Sequence, residues 1–260
     1  MKRSRFFWFC SVLIYGTFLF ATTGCDEDDP PPPPVIPDTV TDADGNEYET
    51  VSIGDQVWMA ENLKTTKYRN GTDIDNPGID NVAWSNNTNG AYSWYNNDIN
   101  QKETYGASYN WYAIDNANGL CPAGWHVSTN DDWNRLINYL QTEHQLSNEI
   151  DDINAIGNKL KSCRQVDSPI GGECDTSTHP RWNFHDTQFG TNDFGFAALP
   201  GGGRGARGSF ESAGAFGFWW SSNEGIEGSG AYRYINFDQS VVFQGNFDKS
   251  AGLAVRCVKD

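Results

Sequence analysis

Cys121-Pro-Ala-Gly-Trp-His-Val-Ser-Thr-Asn-Asp-Asp-Trp133 is the stretch on which the fold turns. Thr129 suits the N-cap of a helix, with Asp132 three residues on, and Asp131 and Asp132 suit the positive end of the helix dipole. Trp133, Leu136, Ile137 and Leu140 then recur at i, i+3, i+4 and i+7, which is one apolar face laid against a core. Downstream, a second helix is expected over 149–161, with Ile153, Ile156 and Leu160 inward and Gly157 costing about 1 kcal/mol relative to alanine. The C-terminal third reads as strands over 232–237, 240–247 and 253–258, the first two joined at Asp238-Gln239. In the last strand Leu253, Val255 and Cys257 share a face, expected to be the core face. Upstream, the β-formers of 47–53 and 56–60 flank Gly54-Asp55, a hairpin signal. The Asn-, Asp- and Gly-rich segment 70–101 reads as a long surface loop punctuated by Trp84, Tyr92, Trp94 and Tyr95. Helices grouped early and strands late give an α+β class.

The N-terminus reads as an export signal rather than folded protein. Residues 1–24 carry Lys2, Arg3 and Arg5, then an apolar run over 6–21, then the small residues Thr22, Thr23 and Gly24. A bilayer span needs about 20 apolar residues, so this run is short for one. Thr-Thr-Gly-Cys ending at Cys25 resembles a bacterial lipobox, with Thr22 where leucine is more usual, and implies a lipid on Cys25. Two or more acyl chains make such an attachment stable where one is marginal. Residues 25–40 read as a stalk. Pro30 to Pro34 and Pro37 favour polyproline II, with a reach of at most about 40 Å. The acidic run Asp26-Glu27-Asp28-Asp29 resembles a signal that sends lipoproteins to the outer cell surface in some Gram-negative lineages. In enteric-type bacteria an aspartate after the cysteine would mean inner-membrane retention, so the leaflet stays open. The expected location is the outer membrane, facing outward. Asp38-Thr39-Val40 resembles a bacterial O-glycosylation sequon. Residues 41–260 read as one continuous domain.

A net charge of −16, made more extreme once the basic leader is gone, repels nucleic acid and anionic membrane surfaces. Nucleic acid is therefore excluded as a partner. Ten tryptophans, of which only Trp8 lies in the leader, are enough to build a core. Of six cysteines, Cys10 and Cys25 belong to the leader and its cleavage point. Cys121, Cys163, Cys174 and Cys257 remain, an even set that reads as disulfides in an exported chain, with the connectivity open.

Several blocks occur in one order: Thr-Asp-Ala-Asp-Gly-Asn-Glu-Tyr-Glu-Thr-Val-Ser-Ile-Gly-Asp-Gln-Val-Trp from Thr41, then Y-G-A-S-Y-N-W-Y-A-I, C-P-A-G-W-H-V-S-T-N-D-D-W, G-N-K-L-K-S, N-D-F-G-F-A-A-L-P-G-G-G-R, W-W-S-S and A-V-R-C-V-K-D. Together they resemble the Fibrobacter succinogenes major paralogous domain over essentially all of 41–260, with Ser128 where the pattern usually has proline. The resemblance implies a C-type lectin-like fold, two helices packed on small antiparallel sheets with long loops, and chain ends lying together. It also implies that Cys121 bonds Cys257 and that Cys163 and Cys174 close a local loop. Two of these stretches, Gly124 to Trp133 and Asn192 to Phe196, are similar to blocks of the formylglycine-generating enzymes, whose chemistry uses cysteines near the C-terminal core. If Cys257 is bridged, no such pair remains.

Other chemistry finds little footing. No G-x-S-x-G or H-E-x-x-H occurs, and His126, His144, His179 and His185 do not form a ligand spacing. Asp42-Ala43-Asp44-Gly45-Asn46 lacks the EF-hand order and reads as a turn before the first hairpin. No cofactor is expected; the one candidate is calcium among the oxygen-rich side chains between Asp73 and Asp98. The glycine-rich run 201–208 lacks the ending of a phosphate loop. Its Arg204 and Arg207, with Trp219, Trp220 and Tyr232, are the candidate contacts of a non-catalytic domain that binds an extracellular glycan or protein. Trp94 and Trp111 are further stacking candidates, although for each tryptophan a core role is the better reading. The alternatives are a structural component of the envelope and an enzyme related to the formylglycine-generating group, which would need a free cysteine.

Overall fold

The computed structural model describes residues 39–163 and 182–260, all of which lie in the unit Pro37–Asp260. Cys25, the leader, nearly all of the stalk, His179 and Cys174 fall outside the described residues. No helix among the described residues is long and apolar enough to cross a membrane.

The helix Asn130–Glu143 begins on Thr129. The Thr129 hydroxyl accepts the Asp132 N–H at 3.0 Å, and the Asp132 carboxylate accepts the Thr129 N–H at 2.8 Å, a reciprocal capping box. Trp133, Leu136, Ile137 and Leu140 are buried on the face that the spacing marks out. The strands form three antiparallel sheets. The first runs Thr39–Thr41, Glu47–Ile53, Gln56–Met59, Cys257–Lys259 and Trp125–Val127, so the opening hairpin and the end of the chain share one sheet. The second pairs Phe243–Phe247, Gly230–Asn236 and Phe216–Glu224. The third is built of very short strands: Tyr92–Ser93, Ser108–Asn110, Gly252–Leu253, Gly203–Arg204 and Phe210–Glu211.

The chain end divides the interior. Leu253, Val255 and Cys257 enter one apolar cluster, while Ala254 and Val258 enter the other. Alternation along an extended chain sends neighbours to opposite sides, so this segment is buried on both faces. Arg256 falls among them with no exposure. Its guanidinium is satisfied by Asn62 Oδ1 and the carbonyls of Met59, Phe196 and Ala197. Cys121 and Cys257 form a disulfide with Cα atoms 6.0 Å apart, tying the chain end to the segment ahead of the long helix. Cys163 is disulfide-bonded as well.

Four expectations change. The strand expected over 253–258 is split, because Leu253 pairs with Tyr109 in the third sheet and Cys257 with Val127 in the first. The strand expected over 240–247 begins only at Phe243; Ser240 and Val242 bond instead to Glu149 and Asn148. The helix expected over 149–161 shrinks to Ile156–Leu160, and Ile153 points outward at 43% exposure. Asp152 caps a turn there, its carboxylate accepting the Asn154 N–H. Gly157 is present for packing rather than in spite of propensity: a Cβ would meet the Ser240 carbonyl oxygen at 2.5 Å. The segment 70–101 is not a simple surface loop either. It holds the helix Asn81–Asn86, capped by Asp80, and buries Trp84 and Trp94.

Candidate functional site

Strand Phe216–Glu224 reads F-G-F-W-W-S-S-N-E, and its partner Gly230–Asn236 reads G-A-Y-R-Y-I-N. Alternation sends Trp219 and Ile235 to the core on one face and Phe216, Phe218, Tyr232 and Tyr234 to the other. Register places Tyr234 opposite both Phe218 and Phe243, and Tyr232 opposite Gly245. A Cβ on Gly245 would lie 2.6 Å from the Tyr232 ring, so that glycine lets the ring lean across the third strand. With Phe243 and Phe247 these rings form a continuous aromatic face. All are partly exposed, and Phe247 is 39% exposed.

The rings change orientation along that face. Phe218 and Tyr232 meet edge to face at 66°, as do Tyr232 and Phe247 at 62°. Farther along, Tyr232 and Tyr234 stack at 28°, Tyr234 and Phe243 at 14°, and Phe216 and Phe218 at 5°. Where the rings stand upright to one another a cavity of about 170 Å³ opens, lined by Phe218, Tyr232, Phe247, Leu253, Glu211 and the backbone of Gly203–Gly205. A Cβ on Gly203 would sit 3.1 Å from Leu253 and 3.6 Å from Phe218, so glycine keeps this wall flat.

The polar groups here are few. Burial, helped by the neighbouring Tyr234, lifts the Tyr232 phenol above its ordinary range, so it stays a protonated donor. Glu211 is exposed at the cavity edge and pairs across to Gly203.

The residues expected to bind fare unequally. Tyr232 stands in the aromatic face and in the cavity wall. Arg207 is exposed in the turn between Gly203–Arg204 and Phe210–Glu211. Trp219 and Trp220 are fully buried and do not reach the surface. Being adjacent in a strand, they point to opposite cores, and their indole N–H groups donate to Asn62 Oδ1 and to the Tyr109 carbonyl. Arg204 is also fully buried. Its guanidinium lies 4.2 Å from the Trp84 ring and 4.9 Å from Phe210, donating to the carbonyls of Gly208 and Gly78 and to Asn81 Oδ1. It holds the turn 205–208 against the helix Asn81–Asn86, and its buried Nη1 has no hydrogen-bond partner among the described residues. Trp94 and Trp111 belong to the core. The rings that do form the face, Phe216, Phe218, Tyr234, Phe243 and Phe247, were missed. Their signal was present as aromatic alternation in F-G-F and Y-R-Y and in the spacing of F-Q-G-N-F.

Elsewhere, polar clusters are occupied internally. Asp42 accepts from the backbone of Asp44 and Asn46, from the Asn46 amide and from the Tyr48 hydroxyl; Asp44 accepts from Thr66. Asp80 and Asp98 cap short helices and Asp75 accepts from Asn87. Among the described residues no group of three or more His, Cys, Asp or Glu side chains is placed to hold a metal ion. His126 bridges Asp132 and Asp260 at 3.0 and 2.7 Å. The hydrogen bond to Asp132, with that to Asp260, raises its pKa against the opposing effect of burial.

A sequence profile of one family, the Fibrobacter succinogenes major domain, matches residues 51–259. No curated protein matches the chain. No solved structure matches it either.

Proposed function

This chain belongs to the Fibrobacter succinogenes major domain family, whose span takes in the whole aromatic face and its cavity, and on that premise we propose that it is a non-catalytic binding domain of the cell envelope whose ligand is a glycan laid on that face. One observation carries the reading: a continuous, partly exposed set of rings lies on one face of a three-stranded sheet, packed at its Trp220 end against one core while the opposite face packs on the other. Contiguous exposed apolar surface of this kind marks interaction sites, and tyrosine offers an apolar ring with a polar tip. A sugar presents matching chemistry, with C–H faces for the rings and hydroxyls for the phenols.

The remaining parts of the reading rest on other supports. A lipid on Cys25 and the stalk of 25–40 would hold the domain at the outer membrane, facing outward, and the disulfide between Cys121 and Cys257 suits an oxidising compartment. A C-type lectin-like architecture is supported by the opening hairpin and the chain end sharing a sheet. The absence of catalysis is supported by the engagement of Cys121, Cys163 and Cys257 in disulfides, which leaves those cysteines no reactive thiol.

The test is affinity electrophoresis of the full chain in detergent through gels holding soluble polysaccharides. At least one polysaccharide should retard the protein, and Tyr234→Ala or Phe243→Ala should weaken that retardation about tenfold, the scale of one lost stacking partner of roughly 1–1.5 kcal/mol. Retardation by none of a broad panel would overturn the reading.

A further inference from the structure

We infer that the ligand of this face is an uncharged, hydroxyl-rich glycan, with one sugar unit seated in the cavity against Glu211 and its neighbours running along the edges of the stacked rings Tyr234 and Phe243. The inference rests on the glycan reading above and adds the ligand's charge, its register on the face and the residue that selects it.

Size comes first. At about 170 Å³ the cavity is smaller than the roughly 300–1,000 Å³ that drug-sized ligands occupy, so it suits a single ring. Ring orientation says where the rest of the chain goes. Phe218, Tyr232 and Phe247 stand at 62–66° around the cavity, whereas Tyr234 and Phe243 stack on each other with centroids 4.8 Å apart and present their ring edges beyond it. The Tyr232 and Tyr234 rings, with centroids 5.6 Å apart, join the two regions without a gap.

Charge decides the class. Glu211 is the one acid of the lining, exposed, and no side chain among the described residues pairs with it. Arg204 borders the same cavity but sends its guanidinium to the other side of the strand. Gly203 and Gly205 face Phe218, Leu253 and Glu211, whereas the Arg204 side chain packs between Trp84 and Phe210. The cavity therefore offers a carboxylate acceptor and a phenol donor with no opposing cation. A sugar hydroxyl can donate to Glu211 through a charge-assisted hydrogen bond. A uronate, sulfate or phosphate placed there would meet an uncompensated like charge, in a chain whose net charge is already −16.

The experiment uses the full chain in detergent and a panel of neutral polysaccharides (dextran, xylan, mannan and a mixed-linkage β-glucan), each beside its sulfated form. Retardation by a neutral member is expected to exceed that by its sulfated form at least tenfold, and to be unchanged between 20 and 200 mM salt, over which the Debye length falls from about 21 to about 7 Å. Glu211→Ala should weaken neutral binding about tenfold, and Glu211→Lys should bring the sulfated form level with or above the neutral one. Melting curves and size-exclusion profiles of each variant, matched to the parent, separate binding from misfolding. Tighter binding of the sulfated forms, or Glu211→Ala without effect, overturns the inference while Tyr234-dependent binding leaves the glycan reading standing. Retardation by no member of either charge, or a dimer that Tyr234→Ala dissociates, overturns both.

Discussion

The guanidinium of Arg256 lies 4.6 Å over the ring of Phe196 and donates to the carbonyl oxygen of that same residue at 2.7 Å. The pair locks the penultimate segment of the chain to 196–197, because Ala197 and Met59 also give their carbonyls to the same guanidinium. A planar fork reaches several carbonyls at once; an ammonium does not. Arg256→Lys is therefore expected to destabilise the fold by about 3 kcal/mol or more, from bonds to a charged group worth roughly 1.5–3 kcal/mol each. Urea denaturation of the two proteins measures it, and a loss below about 1 kcal/mol would show that the carbonyls find other donors.

The Cys121–Cys257 bridge spans 136 residues of sequence. Closing so long a loop removes denatured-state entropy worth about 4–5 kcal/mol in the chain-entropy picture. Cys121→Ser with Cys257→Ser should lower the unfolding free energy by that order, with other cysteines untouched. Unchanged stability would mean that burial of 253–258 alone holds the chain end.

Gly157→Ala tests a backbone contact against helix propensity. Alanine gains about 1 kcal/mol over glycine inside a helix. Here its Cβ would lie 2.5 Å from the Ser240 carbonyl oxygen, and overpacking of that kind costs about 1–3 kcal/mol. A lowered melting temperature is expected; a raised one would show that the turn 237–242 yields freely.

Stability should depend on pH through His126 and its two acids. The pKa of His126 is raised above 6.5 by hydrogen bonding to Asp132 first and Asp260 next, with burial opposing. The protonated form is thus the stabilised one. Its contribution is complete below pH 6.5 and is lost as pH rises through the elevated folded value. Burial alone would raise Asp132, but hydrogen bonds from His126 and Thr129 outweigh it and hold the carboxyl at about 2, against 3.8 when free. That contribution is complete above pH 3.8 and fades as pH falls toward 2. A plateau between about pH 4 and 6.5 is expected in the urea midpoint, and His126→Ala should flatten its alkaline side. An alkaline side that survives His126→Ala would assign it to another group.

What could be read in the sequence was local. The capping box at Thr129 and Asp132 and the hairpin at Gly54-Asp55 each depend on residues a few positions apart, so the helix Asn130–Glu143 and the strands Glu47–Ile53 and Gln56–Met59 stand where the pattern put them. The aromatic face depended on distant partners. Trp219 and Trp220 looked alike, yet neighbours in a strand face opposite ways, and here each way leads to a core. The partners of Arg204 could not be read locally, because Trp84 and Asn81, which enclose it, lie more than a hundred residues earlier. Conversely, Phe243 became part of the aromatic face only through its pairing with Tyr234, a register that no single strand specifies.

The central claim is that the rings of the three-stranded sheet meet the ligand, and hydroxyl-radical footprinting of the full chain, with and without a polysaccharide that retards it, tests that most directly. Oxidation of Tyr232, Tyr234, Phe243 and Phe247 is expected to fall when the polysaccharide is added, while the exposed Phe184 and Ile99 react as before. Protection confined to residues away from this sheet, with those four rings oxidised at an unchanged rate, would contradict it.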